Sequence, residues 1–110
     1  MSEFGPEILT KDLRPEDVPY VDPESDEAWM AFTRFAFTYD GYERCRNVGA
    51  VANGAVARYR EDGALPEDPE EIRACLFFEQ RRWRHFGVPP DAETWRYLNA
   101  LLDELRKCLT

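Results

Sequence analysis

Apolar side chains recur every three or four residues through most of the chain after residue 25, which is the spacing of one face of an α-helix. The C-terminal segment is the clearest case, because Asp91 can cap a helix at its start and Arg106 and Lys107 suit the negative end of the helix dipole. The spacing predicts a helix over about residues 92–109. Its apolar stripe consists of Trp95, Leu98, Leu101, Leu102, Leu105, Cys108 and Leu109.

Two more helices are predicted from periodicity and capping residues. One begins at Ser25 or Asp26 and continues to about Tyr39. Because Met30 and Phe37 project from the side opposite its main apolar face, we expect this helix to lie at the centre of the fold. The other helix begins at Asp68-Pro69, which provides a cap and a proline in the first turn, and ends before Gly87.

The segment over residues 45–59 allows two interpretations. Asn53-Gly54 between valine and alanine residues resembles a two-residue β-hairpin turn. However, its apolar residues lie on one side of a 3.6-residue wheel, and alanine is uncommon in strands. We therefore favour a helix that ends near Asp62, with Gly63 in the left-handed conformation that glycine allows. Small residues make this helix thin, so a neighbour can approach closely.

The first 25 residues differ from the rest of the chain. They contain four of the eight prolines, which disfavour helix, together with too many apolar residues for a solvated linker. The sequence thus predicts two parts, an extended acidic arm over residues 1–25 and one helical domain over residues 26–110. Four helices with mostly short links predict an all-α fold, an antiparallel four-helix bundle with the arm packed across it.

Charge and length limit the classes of function. The 110 residues suffice for one domain, and the formal net charge of −8 disfavours nucleic acid and anionic membranes as partners. Residues 1–40 hold ten acids and three bases, whereas the remainder is nearly balanced. The longest uncharged run, residues 47–57, is too short to span a bilayer, and no signal peptide is evident, so we expect a cytoplasmic protein.

The three cysteines, Cys45, Cys75 and Cys108, are an odd number at wide spacing. This pattern suits neither a disulfide scaffold nor a zinc site, and each cysteine falls on a predicted apolar helix face. We expect reduced, buried thiols. The chain also has none of the phosphate-binding, nucleophile or metal-binding motifs that we considered, so no metal and no cofactor are expected.

Glu79 is the most informative polar residue, because it falls in the angular centre of the apolar stripe of the third predicted helix. A buried carboxylate needs a partner. The structural interpretation is a donor from another helix, namely an arginine (Arg34, Arg46 or Arg96) or a Tyr or Trp side chain. The catalytic alternative combines Glu79 with the lone histidine, His85, and would require an ionisable pocket that connects Glu79 to solvent.

The opposite face of the same helix predicts a binding surface. It carries an aromatic residue among arginines, a composition typical of protein interfaces, and stability should not depend on it. Its residues are Arg73, Phe77, Gln80, Arg81 and Arg84. An N-terminal arm that covers Phe77, or a merely solvated face, is the alternative to a partner at this position.

We interpret the chain as a small non-enzymatic protein-interaction module that binds another protein or a second copy. Antitoxins, immunity proteins and phage-encoded inhibitors are analogous in size and charge. Two alternatives belong to other classes. One is an anionic-ligand or nucleic-acid binder that uses Arg81, Arg82 and Arg84, and the other is a small enzyme that uses Glu79 and His85 without a cofactor.

Overall fold

The computed structural model describes residues 8–20, 22, 25–39, 48–86 and 91–110, and of residues 84–86 only the backbone. Within these ranges the secondary structure is entirely helical, without strands. Two short 3₁₀ helices precede four α-helices in the described chain. The 3₁₀ helices are Thr10–Asp12 and Pro15–Asp17, and the α-helices are α1 (Asp26–Ala36), α2 (Val48–Asp62), α3 (Pro69–Phe86) and α4 (Ala92–Cys108).

The predicted caps begin three of these helices. The side chain of Ser25 accepts a hydrogen bond from the backbone N–H of Ala28 at 3.1 Å, and that of Asp91 accepts one from Thr94 at 2.8 Å. Asp68 accepts one from the backbone N–H of Glu70 at 2.9 Å. Each cap satisfies a backbone donor that the first turn of a helix leaves without an intrahelical partner.

The helical interpretation of the segment over residues 45–59 is confirmed from residue 48 onward. Asn53 and Gly54 lie inside α2 rather than in a turn, so the hairpin alternative is wrong, while residues 45–47 lie outside the described residues. Gly63 follows the last helical residue with φ of +77°, which is the left-handed conformation expected there.

The first predicted helix is shorter than expected, since α1 ends at Ala36. The N–H groups of Thr38 and Tyr39 donate to carbonyls three residues earlier, at 3.0 and 3.3 Å. Such tighter bonds often close the last turn of a helix. The turn leaves the carbonyl of Thr38 to accept a hydrogen bond from the N–H of Ile8 at 3.0 Å, so the end of α1 connects to the N-terminal residues.

The centre of the fold is α3 and not α1. The helix α3 packs against α1, α2 and α4, whereas Met30 on α1 is 46% exposed. The apolar stripe of α4 is buried as predicted except at its end, where Leu109 is half-buried and Cys108 is exposed. Burial of a Leu side chain contributes about 1.5–3 kcal/mol, so the four leucines of α4 are a main source of stability.

Residues 8–20 contribute to this core although they contain no α-helix. Leu13 and Val18 are only 6% and 5% exposed and belong to the same apolar cluster as the leucines of α4. The 3₁₀ helix Pro15–Asp17 packs against α4. The described N-terminal residues are therefore part of the folded body.

The cysteine prediction is correct at one position and wrong at another. Cys75 is fully buried, and burial raises the pKa of its thiol to about 11. Cys108 is exposed, and its thiol donates to the carbonyl of Glu67 at 3.3 Å. The prediction failed there because the described residues leave Cys108 open to solvent in the last turn of α4. Neither thiol forms a disulfide, and Cys45 lies outside the described residues.

Candidate functional site

Arg73 does not belong to an exposed surface, which corrects the first member of the predicted binding surface. Arg73 is 2% exposed, and its guanidinium donates hydrogen bonds to the carbonyl of Ile8 at 2.7 Å and to the hydroxyl of Thr10 at 3.0 Å. A third hydrogen bond reaches the hydroxyl of Thr38 at 3.1 Å. The guanidinium also lies 5.3 Å from the centroid of the Tyr39 ring. Arg73 thus connects α3 to the N-terminal residues and to the end of α1.

Gln80 and Phe77 are also placed differently from the prediction. Gln80 is 2% exposed, and its amide donates to the hydroxyl of Thr33 on α1 at 3.4 Å. Phe77 is half-buried, with ring centroids 5.8 Å from Phe37 and 6.0 Å from Tyr39. The end of α1 therefore covers much of this face, and the expectation that stability is independent of Phe77 is not supported by its packing.

Arg81 is exposed as predicted, and the side chain of Arg84 lies outside the described residues. Of the five residues of the predicted surface, only Arg81 has a side chain that is described as exposed. An aromatic residue surrounded by solvated arginines is consequently not what the described residues form. At Arg73, Phe77 and Gln80 this face of α3 packs against the N-terminal residues and α1 with its C-terminal turn.

A second arginine anchors the N-terminal residues at their other end. Arg106 on α4 donates to the carbonyls of Val18, at 3.1 Å, and Pro19, and its guanidinium lies 3.6 Å from the centroid of the Tyr20 ring. It also pairs with Asp103 at 2.7 Å. Together with Arg73, it holds the backbone of residues 8–20 against the body. Of the acidic side chains in residues 8–20, Asp12 and Glu16 are exposed and Asp17 is half-buried. Glu16 and Asp17 pair with Arg14 at 3.5 and 3.6 Å.

Glu79 is buried as the sequence predicts, at 2% exposure, but its partner is not on another helix. Oε1 of Glu79 lies 3.6 Å from Nη1 of Arg82, one turn further along α3, which is an ion-pair distance but too long for a hydrogen bond. Two of the arginines expected to face it, Arg34 and Arg96, are exposed, and Arg46 lies outside the described residues. No described residue donates a hydrogen bond to Oε1.

Burial is the dominant influence on this carboxyl group. It raises the pKa of Glu79 because removal from water disfavours the charged form. The positive charge of Arg82 and then the indole of Trp83 lower the pKa, but they do not compensate for burial. A carboxyl group with a raised pKa can accept a hydrogen bond from a ligand or exchange a proton with it.

The buried Glu79 lines a cavity of about 290 Å³ between α2, α3 and the start of α4, hereafter the Glu79 cleft. Its walls include the rings of Tyr59, Trp83 and Tyr97, of which Tyr59 and Tyr97 are 5.0 Å apart between centroids. Desolvation raises the pKa of the buried Tyr97 hydroxyl, so it stays protonated. The cleft therefore combines aromatic residues with a buried carboxyl group.

Charged side chains surround the mouth of the Glu79 cleft. Arg60 and Glu93 pair there at 3.2 Å, and both are exposed, so the cleft opens to solvent. Asp91 also lines it, and hydrogen bonding from the backbone of Thr94 lowers the pKa of Asp91. Three carboxyl groups thus face two guanidinium groups, and each of those two, on Arg60 and Arg82, is already near a carboxylate.

Sequence reasoning found Glu79 but missed the cleft, because the remaining lining residues come from three elements. The wheel of α3 gives the direction of Glu79, but the approach of Tyr59 and Asp91 depends on how α2 and α4 pack. The side chain of His85 lies outside the described residues, so its pairing with Glu79 stays a prediction. In the described ranges, no group of three or more His, Cys, Asp and Glu residues could hold a metal ion.

No protein-family model, no curated protein and no solved structure matches this chain. No helix of the described residues is long and apolar enough to cross a bilayer.

Proposed function

We propose that this protein is a cytoplasmic, non-enzymatic interaction module that binds a basic surface of another protein and thereby blocks it, as antitoxins and immunity proteins do. In this proposal the four helices form an antiparallel bundle, and residues 1–25 form an arm across it. The contact surface, hereafter the acidic face, carries the exposed acids of this arm, Asp12, Glu16 and Asp22. Arg81, which is exposed on α3, is a smaller second contact.

One observation supports the proposal more than any other, namely the anchoring of residues 8–20 by two arginines that bind backbone oxygens. Arg73 binds the carbonyl of Ile8, and Arg106 binds those of Val18 and Pro19. These arginines bind backbone oxygens and leave Asp12 and Glu16 exposed, of which Glu16 pairs with Arg14 of the same segment. Because the backbone that carries these acids is held in place before binding, residues 8–20 would lose less conformational entropy on association than a disordered tail would.

The charge of the chain favours a basic partner. The net charge of −8 is concentrated in the first 40 residues, and complementary charge accelerates association and selects partners. A second copy is less favoured, because two acidic faces repel one another. The anion-binding alternative names Arg81, Arg82 and Arg84. It has little support from the described side chains, since Arg82 is paired with Glu79 and the side chain of Arg84 lies outside them.

The test is a pull-down from the native host with mass spectrometry, performed with the wild type and two double variants. Asp12→Asn with Glu16→Gln removes two acids of the acidic face, and Glu61→Gln with Glu71→Gln removes two exposed acids from α2 and α3. We expect the first pair to lose the partner and the second pair to retain it. Equal capture by both double variants would contradict the proposed surface, and a dimeric wild type in light scattering would favour self-association.

A further inference from the structure

We propose that the Glu79 cleft is a binding site for a small planar ligand such as an amidine or a guanidine, in which two N–H-bearing nitrogens are bonded to the same carbon. This site is independent of the acidic face and does not rest on the proposed interaction. Its ligand is defined by three features of the cleft, namely an acceptor without a donor, aromatic walls and an excess of negative charge.

The acceptor is Oε1 of Glu79. The side chain of Glu79 is 3% exposed, and no described residue donates a hydrogen bond of normal geometry to this atom. The indole of Trp83 is the nearest neutral donor and lies close enough to lower the pKa of the carboxyl group. Buried polar atoms are nearly always hydrogen-bonded. Oε1 has almost no contact with solvent, so a ligand donor reaches this acceptor and completes it only where Arg82 is displaced. A carboxylate has two oxygens with parallel lone pairs, and two adjacent N–H groups match that geometry.

The walls favour a flat ligand with positive charge. The rings of Tyr59, Trp83 and Tyr97 line the cleft, and aromatic faces attract cations as well as stacked planar groups. An anion is disfavoured, because Arg60 is hydrogen-bonded to Glu93 and Arg82 lies beside Glu79. The volume of about 290 Å³ is at the small end for ligand pockets, so the ligand is a single-ring compound or smaller.

Arg82 is the side chain that the ligand would replace. Its side chain is 39% exposed, and its contact with Glu79 is 3.6 Å long. In the same conformation its guanidinium lies 5.7 Å from the ring centroid of Phe78, so Arg82 has a contact besides the one with Glu79. A bound amidinium would take the place of this guanidinium at Oε1 with shorter, direct hydrogen bonds.

Isothermal titration with benzamidine tests the site in the intact wild-type chain. Benzamide is the matched control ligand, because it has nearly the same shape but replaces one N–H-bearing nitrogen by a carbonyl oxygen, which a carboxylate repels. We expect benzamidine to bind and benzamide to bind at least about tenfold more weakly, the loss typical of a charge-assisted hydrogen bond. No heat from benzamidine, or equal affinities for the two compounds, would overturn the proposal.

Three variants locate the binding. Glu79→Gln should weaken benzamidine about tenfold or more, while Glu71→Gln, an exposed charge-matched change on the same helix, should have no effect. Arg82→Ala should strengthen binding because it removes the competing guanidinium. Equal losses in both glutamine variants, or weaker binding to Arg82→Ala, would contradict the assignment. Circular dichroism of each variant shows whether it is folded.

Discussion

Arg73→Ala is the perturbation that best separates the buried position of Arg73 from the exposed one that the sequence suggests. In the structure the substitution removes three hydrogen bonds, to the carbonyl of Ile8 and the hydroxyls of Thr10 and Thr38. Each bond contributes about 1 kcal/mol net. Because Ile8, Thr10 and Thr38 are only half-buried, their oxygens can regain water, so the loss from these three bonds is about 3 kcal/mol.

Urea and thermal unfolding measure this loss directly. For a domain of this length, a change of about 3 kcal/mol lowers Tm by roughly 12 °C. Hydrogen exchange adds a local measurement, because the amides of Ile8 and Leu13 donate to Thr38 and Thr10 and should lose protection first. The matched control is Arg81→Ala, an exposed arginine on the same helix, which should change stability by about 0.5 kcal/mol or less.

Two results would refute the reasoning. If Arg73→Ala unfolds within about 0.5 kcal/mol of the wild type, Arg73 does not hold the N-terminal residues. If Arg81→Ala costs as much as Arg73→Ala, the loss reflects the helix and not the anchor.

Three further predictions follow from burial and backbone conformation. Because the pKa of Glu79 is raised, the carboxyl group keeps its proton to higher pH in the folded state than in the unfolded state. The wild type should therefore lose stability relative to Glu79→Gln as pH rises from about 4.5 through the raised pKa. A pH-independent difference in stability between the two proteins would contradict the burial of the carboxyl group. Iodoacetamide at pH 8 should label native Cys108, which is exposed, before Cys75, which is buried, as mass mapping can show; equal labelling would count against the fold around Cys75. Gly63→Ala should destabilise the fold by about 1 kcal/mol because of the positive φ at this position. Gly54 lies within α2 with open space around it, so Gly54→Ala should stabilise the fold by about 0.5–1 kcal/mol in urea unfolding. Changes of the same sign would contradict one of these conformations.

The helices were predictable from the sequence because their causes are local. Proline in the first turn and Asp68 before it define the start of α3, and Gly63 defines the end of α2. The burial of Glu79 was predictable for a related reason, since the apolar residues around it on the wheel determine which way it points. Periodicity also resolved Asn53-Gly54, where the turn-like dipeptide is outweighed by the helical spacing around it.

The tertiary structure alone decided which polar faces are covered. Arg73 and Arg81 lie on the same side of α3, yet the N-terminal residues and the end of α1 cover Arg73 and leave Arg81 exposed. A helical wheel gives the direction of a side chain but not the reach of the segments around it. The same limit applies to Cys108 and to the Glu79 cleft, because coverage depends on residues far apart in the chain that only packing brings together.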